Sequence, residues 1–195
     1  MHGLGSGGVL ALEDLEVPEN TVDVKALRSA LAGKLDSCFR AETSLDKRCE
    51  DIRRMYRVDL GLLVDQLLDK RQYEVTSSEG KSGAIFVTTR QFIIKQLKPD
   101  EHRTLEAAIE RIWKYVRLYP ATLLAKPLAV ISDGRAPFLV MINCFQGQAE
   151  GQRQYDLKGS TVGRSSTGCP GRCLKDNDIQ EGVRLSAAMR GWLLR

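Results

Sequence analysis

Three stretches of the sequence place phosphate-compatible residues beside strand-like runs. In Gly80-Lys81-Ser82-Gly83, two glycines bracket the entry to an apolar run. Glycine lets backbone N–H groups approach phosphate oxygens because no Cβ stands in the way. Taken alone, the pair serves a plain hairpin entry equally well. Lys95 follows Phe92-Ile93-Ile94. A lysine among apolar strand residues costs desolvation unless an anion pairs with it. Strict alternation would instead turn it to solvent on the open face of an antiparallel sheet. Glu101 and Glu106 are the helix carboxylates within reach, and the sequence does not choose between them. The third stretch, Tyr155-Asp156-Leu157-Lys158-Gly159-Ser160-Thr161-Val162-Gly163-Arg164, reads as a strand ending in a glycine turn. It exposes Lys158 and two hydroxyls at one end, a set that suits phosphate oxygens, with the lysine as a compact point charge.

The run Tyr155 to Arg164 resembles the DLKGS signature of the phosphatidylinositol-phosphate kinases almost letter for letter. Further segments resemble that family in the right order. Residues 82–101 resemble its glycine-loop, strand and lysine segment, and Ala121-Thr122-Leu123-Leu124 the stretch after its first helix. Phe138 to Phe145 resembles the strand running into the hinge, and Leu174 to Asp178 the segment after its insert loop. With Glu181-Gly182, that last segment leans toward the type II branch, which takes a 5-phosphate substrate. The lead-in Asp51 to Leu68 matches as well, so the resemblance covers about residues 45 to 195.

The resemblance implies a lipid kinase that uses ATP and Mg2+ and acts on a phosphatidylinositol phosphate at an anionic membrane surface. In that reading Lys95 holds nucleotide phosphates, as the strand lysine of protein kinases does. Gly80 and Gly83 cover the phosphates, and Lys158 contacts a phosphate of ATP or lipid. Lys95 and Lys158 are therefore the candidate catalytic residues. Met141 to Cys144 supply the adenine-facing backbone, and Asn143 stands where the family tends to place an asparagine. The expected location is cytoplasmic and peripheral to membranes; a homodimer is compatible with the resemblance, and nucleic acid is not an expected partner.

The family's next motifs, MDYSLL with its catalytic aspartate and an IID-type motif with its metal-binding aspartate, do not occur in these 195 residues. Asp156, Asp176 and Asp178 are carboxylates in no motif that supports either role, so no metal ligand is assigned. The expectation is an incomplete kinase domain, inactive on its own. The alternative is a non-catalytic interaction or regulatory module that keeps the same front lobe.

The elements that must position these residues follow from periodicity. Residues 1–22 read as a disordered tail and 23–195 as the incomplete domain: a helical lead-in over 45–75, a front-lobe sheet over 80–164, and the start of a second lobe over 174–195. Val24 to Leu35 has helical spacing. Leu45 to Met55 predicts a helix with Ile52, Met55 and Tyr56 on its apolar face, and Leu60 to Leu68 a further helical patch. Residues 82–89 and 91–97 predict a hairpin-like strand pair. Pro99, Asp100 and Glu101 open a helix that runs to about Leu118. Leu123–Ile131 and Pro137–Phe145 predict strands around a turn at Ser132-Asp133-Gly134, with another strand at Tyr155–Leu157 and a last helix from Ser186. The fold class is α+β: an antiparallel sheet with one crossing helix and N-terminal helices, resembling the front lobe of this kinase core (a SAICAR synthase-like architecture).

Composition narrows the remaining options. Hydrophobic content of 43% and charged content of 28% suit a globular domain with a buried core. A net charge of +4 favours anionic partners without singling out nucleic acid, since no aromatic-interleaved basic stripe or zinc spacing is present. Five cysteines without regular spacing read as reduced thiols. The N-terminal glycines follow no strand, and His2 excludes the usual myristoylation signal.

Overall fold

A computed structural model of the chain describes residues 22–36, 43–77, 84–145, 155–157, 159–166 and 173–179. The chain divides into two compact units, Met1–Gln146 and Gly147–Arg195.

Among the described residues of the first unit three α-helices precede the sheet: α1 (Val24–Asp36), α2 (Ser44–Tyr56) and α3 (Gly61–Gln66). Then come β1 (Tyr73–Ser77), β2 (Ile85–Thr89), β3 (Phe92–Gln96), α4 (Pro99–Leu118), β4 (Ala129–Ser132) and β5 (Pro137–Ile142). The five strands form one antiparallel sheet in the order β1-β2-β3-β5-β4, which establishes the α+β class.

The register separates the two sheet faces, because paired residues share a side and neighbours along a strand alternate. One face carries Val87, Ile94, Val140 and Ala129 in a row across the sheet. These four are buried and join Leu27 and Leu31 of α1, Ile52 of α2 and Leu63 of α3 in the main core. Fully burying a Leu or Val side chain contributes about 1.5–3 kcal/mol, so this face fixes the register. The other face carries Phe86, Lys95, Leu139 and Val130 in the adjacent row. At its β4–β5 end, Val130 and Leu139 pack with Leu45 and Cys49 of α2 and with Leu105 and Ile109 of α4.

Helix α4 is the crossing helix, and α2 holds it in place. Arg48 Nε donates to Glu110 Oε1 at 2.7 Å, and the same guanidinium lies 3.9 Å from the Trp113 ring centroid. Thr43 caps α2 by accepting the Asp46 amide at 3.1 Å.

Several expectations are corrected. The apolar face of α2 is Leu45, Cys49 and Ile52; Met55 and Tyr56 are only half-buried. The helical lead-in stops short of residue 75, since Tyr73–Ser77 forms β1 and pairs along its whole length with β2. The aromatic Tyr73 and the β-branched Val75 and Thr76 suit that pairing. The first strand of the β4–β5 hairpin begins at Ala129 rather than Leu123, because Leu123 and Leu124 are 71% and 53% exposed in the preceding loop. The turn lies where expected: Asp133 Oδ1 accepts the amides of Arg135 and Ala136 at 2.8 and 2.9 Å, and Gly134 has φ +88°.

The strand at Tyr155 does not extend the sheet over 80–164. In the second unit β6 (Tyr155–Asp156) pairs in parallel with β7 (Leu174–Lys175), followed by a 3-10 turn over Asp176–Asp178. The five-stranded sheet runs over residues 73–142, with β1 supplying the strand that β6 does not. The helix expected from Ser186 lies outside the described residues.

Candidate functional site

Lys95 sits on the half-buried face of the sheet, in register with Phe86 of β2 and Leu139 of β5. Its Nζ lies 2.6 Å from Glu101 Oε1 in the first turn of α4, so the structure selects Glu101 over Glu106. Glu106 is turned instead toward His102, at 3.8 Å. The other oxygen of Glu101 accepts the Lys98 amide at 3.0 Å, which closes the helix N-terminus as a capping-box carboxylate does. The Lys95 ammonium, then the Lys98 amide, hold the Glu101 carboxyl below the usual carboxylate range against partial burial. Pro99 starts α4 with φ preset for a helix, and Asp100 and Glu101 place negative charge at its positive end.

Around Lys95 the same face offers apolar surface that is not sealed. Phe86, Ile93, Leu139 and Met141 are half-buried there, whereas Val87, Ile94 and Val140 on the opposite face are buried. Met141 lies directly across from Ile93. A fixed cation beside half-buried apolar side chains can bind an anionic group attached to a flat apolar one.

Asn143 follows β5 and is 8% exposed. Its Nδ2 donates to the Thr89 carbonyl at 2.9 Å, its Oδ1 accepts the Phe145 amide at 2.9 Å, and its own amide donates to Gln91 O at 2.8 Å. The Nδ2 end thus fastens the end of β5 to the β2–β3 turn, while Oδ1 holds the following Phe145 amide. The bonds Leu97 N to Pro137 O and Asn143 N to Gln91 O put the backbone groups of odd-numbered β5 residues on the β3 side. Ile142 therefore aims its amide and carbonyl to the other side, past Ala129 where the pairing with β4 stops.

The structure thus brings Lys95 and Met141 onto one face, with Asn143 just beyond. Gly80, Gly83 and Lys158 lie outside the described residues. Sequence reasoning missed Phe86 and Ile93; alternation along β2 and β3 would have put them on the Lys95 side once that side was chosen.

In the second unit the signature run and the segment after β7 are joined by ion pairs. Asp176 accepts Arg164 Nε at 2.8 Å and the Gly159 amide at 2.7 Å, and Arg164 reaches Asp156 Oδ2 at 3.1 Å. Asp178 accepts the amides of Lys175 and Ser166, each at 2.8 Å, which holds its carboxyl below the usual range. Among the described residues no group of three or more His, Cys, Asp or Glu could hold a metal ion. Asp156, Asp176 and Asp178 form no such group, so no Mg2+ ligand is assigned among the described residues.

The sequence profile described as Phosphatidylinositol-4-phosphate 5-Kinase matches residues 67–195, more than half of the chain. The chain belongs to the phosphatidylinositol-4-phosphate 5-kinase family. Phosphatidylinositol 4-phosphate 5-kinase 1 of Arabidopsis thaliana is 30% identical over 153 residues, covering 72% of this chain and 20% of that protein. Phosphatidylinositol 4-phosphate 5-kinase its3 of Schizosaccharomyces pombe is 31% identical over 120 residues, 58% of this chain and 16% of its own length. Phosphatidylinositol 4-phosphate 5-kinase-like protein 1 of Mus musculus is 29% identical over 130 residues, covering 60% and 33%. The chain therefore spans a fifth to a third of two of these relatives, at 20% and 33%, and less of the other. The part matched by the phosphatidylinositol-4-phosphate 5-kinase profile begins just before β1 and includes the whole sheet, Lys95 and Glu101; α1, α2 and α3 precede it.

Proposed function

We propose that this chain is the nucleotide-holding part of a lipid kinase that transfers the γ-phosphoryl group of ATP to an inositol hydroxyl of a phosphatidylinositol phosphate. The observation that carries this reading is the Lys95–Glu101 pair at 2.6 Å on the half-buried sheet face. A lysine held by a helix carboxylate keeps one orientation for its ammonium and can approach phosphate oxygens as a fixed point charge.

Within the nucleotide, Lys95 takes the phosphates while Phe86, Ile93 and Met141 pack the adenine or ribose. The backbone of Ile142 supplies a donor and an acceptor where β4 no longer pairs, in keeping with an adenine edge at the end of this strand. Asn143 shapes that strand end through its bonds to Thr89 and Phe145. Gly80 and Gly83 cover the phosphates and Lys158 contacts a phosphate of nucleotide or lipid, both by family resemblance. No step is assigned to Mg2+, because no ligand for it is assigned among the described residues.

The substrate class follows the relatives' names, which specify phosphatidylinositol 4-phosphate, so that lipid is the first to test and the 5-phosphate isomer the second. No described helix is long and apolar enough to cross a membrane. Contact at the periphery of an anionic bilayer is the arrangement the reading requires. Calorimetric titration of the chain with ATP, for wild type and Lys95→Ala, tests the nucleotide part. Measurable affinity in the wild type and its loss in Lys95→Ala are expected; equal affinities would remove Lys95 from the site.

A further inference from the structure

The second unit gathers two separated points of the signature run on one carboxylate and a third through Arg164. Asp176 Oδ1 accepts the Gly159 amide at 2.7 Å and Asp176 Oδ2 accepts Arg164 Nε at 2.8 Å. Arg164 then bonds Asp156 twice, through the carboxylate at 3.1 Å and through the backbone carbonyl. The Arg164 and Asp176 side chains are each only 13% exposed. Ser160, Thr161 and Val162, on the outside of the same turn, are exposed.

The neighbouring residues complete the cradle. Asn177 Nδ2 donates to Thr161 O at 2.8 Å, and the Asn177 amide donates to Arg164 O at 2.9 Å. Gly159 and Gly163 have φ +69° and +65°, the left-handed conformation that lets the chain double back over Asp176. Asp176 is thus held between a guanidinium and a backbone amide. Its effect falls on the backbone at Asp156 and over residues 159–164.

We propose that Asp176 is the positioning residue of the signature turn. By fixing Asp156 through Arg164 and Gly159 through its amide, it sets the backbone immediately before and after the 157–158 pair. The turn so shaped receives a phosphate group, whether of a nucleotide or of a phosphoinositide head. This rests on the kinase reading above and adds to it a residue whose charge acts through Arg164 rather than on the ligand.

The test uses the full chain as wild type, Lys158→Ala, Asp176→Asn and the double variant. Each is titrated with ATP in solution and, separately, with phosphatidylcholine vesicles containing phosphatidylinositol 4-phosphate. Asp176→Asn is expected to weaken binding by about tenfold, the scale of losing an orienting partner. The loss should fall on the same ligand that Lys158→Ala weakens, with the double variant no worse than the weaker single one. Hydrogen exchange at the Gly159 and Arg164 amides should accelerate while that of β2, β3 and β5 stays unchanged. A purely structural residue would instead speed exchange with no ligand-specific loss. Wild-type affinity for both ligands in Asp176→Asn, or losses that add in the double variant, would overturn the proposal. A wild-type chain that binds neither ligand would overturn the kinase reading and this one with it.

Discussion

Lys95 and Glu101 stand on different elements, the end of β3 and the first turn of α4, and their side chains meet at 2.6 Å. The pair links the sheet to its crossing helix at one point, while Arg48, Glu110 and Trp113 link that helix to α2 at another. Lys95 is thereby presented on the half-buried face with its direction set. A lone lysine on an open strand face would sample many rotamers, and ordering it on binding would cost about 2 kcal/mol.

Glu101→Gln should uncouple that presentation. The side chains are 27% and 41% exposed, so solvent screens the pair and the stability loss should be about 1 kcal/mol or less. Nucleotide affinity should fall several-fold at the same time, because the ammonium loses its orienting anion. Urea unfolding alongside calorimetric titration measures both. Glu106→Gln is the control and should leave nucleotide affinity unchanged.

The same pair gives a pH dependence of known sign. The Glu101 carboxyl is held below its usual value by Lys95. A depressed folded value means that the charged form stabilises the fold above the unfolded glutamate value of about 4.3. That stabilisation is lost as pH falls through the lower folded value. Thermal midpoints of wild type and Glu101→Gln should therefore differ most above that range and converge in acid. A difference that grows with acidity would contradict the pairing.

Asn143→Ala separates shaping from contact. The buried side chain ties Thr89 to Phe145, and removing it should cost about 1–3 kcal/mol. Chemical denaturation checks the loss. Asn143→Asp should be destabilising too, because a carboxylate cannot donate to the Thr89 carbonyl.

Much of this arrangement could be read from the residues, and the exceptions share a physical cause. Strands β2 and β3 and helix α4 carry local signals: β-branched alternation, then Pro-Asp-Glu at a helix start. Strand β1 escapes local reading because Tyr73–Ser77 gains its identity from pairing with β2. The apolar Leu123 and Leu124 suggested strand, yet they are exposed, and only tertiary packing distinguishes them from Val130 and Ile131. The strand at Tyr155 is legible but its sheet is not, since a two-residue strand holds too little pattern to name its partner. The choice between Glu101 and Glu106 required the angle at which α4 leaves β3, which periodicity does not contain.

Thiol chemistry offers an independent check on the packing. Burial pushes the Cys49 thiol up to about 12, whereas Cys144 and Cys173 are exposed. Iodoacetamide at neutral pH should label Cys144 and Cys173 in the native chain and spare Cys49 until denaturant is added. Rapid native labelling of Cys49 would mean that α2 does not pack on α4 and β4 as described.

Hydrogen exchange with and without ATP measures directly where ATP binds. Protection is expected along β2 and β3, from Ile85 to Gln96, and at the end of β5 from Leu139 to Phe145, and it should vanish in Lys95→Ala. Protection absent from these strands, or persisting unchanged in Lys95→Ala, would contradict the assignment of this sheet face to the nucleotide.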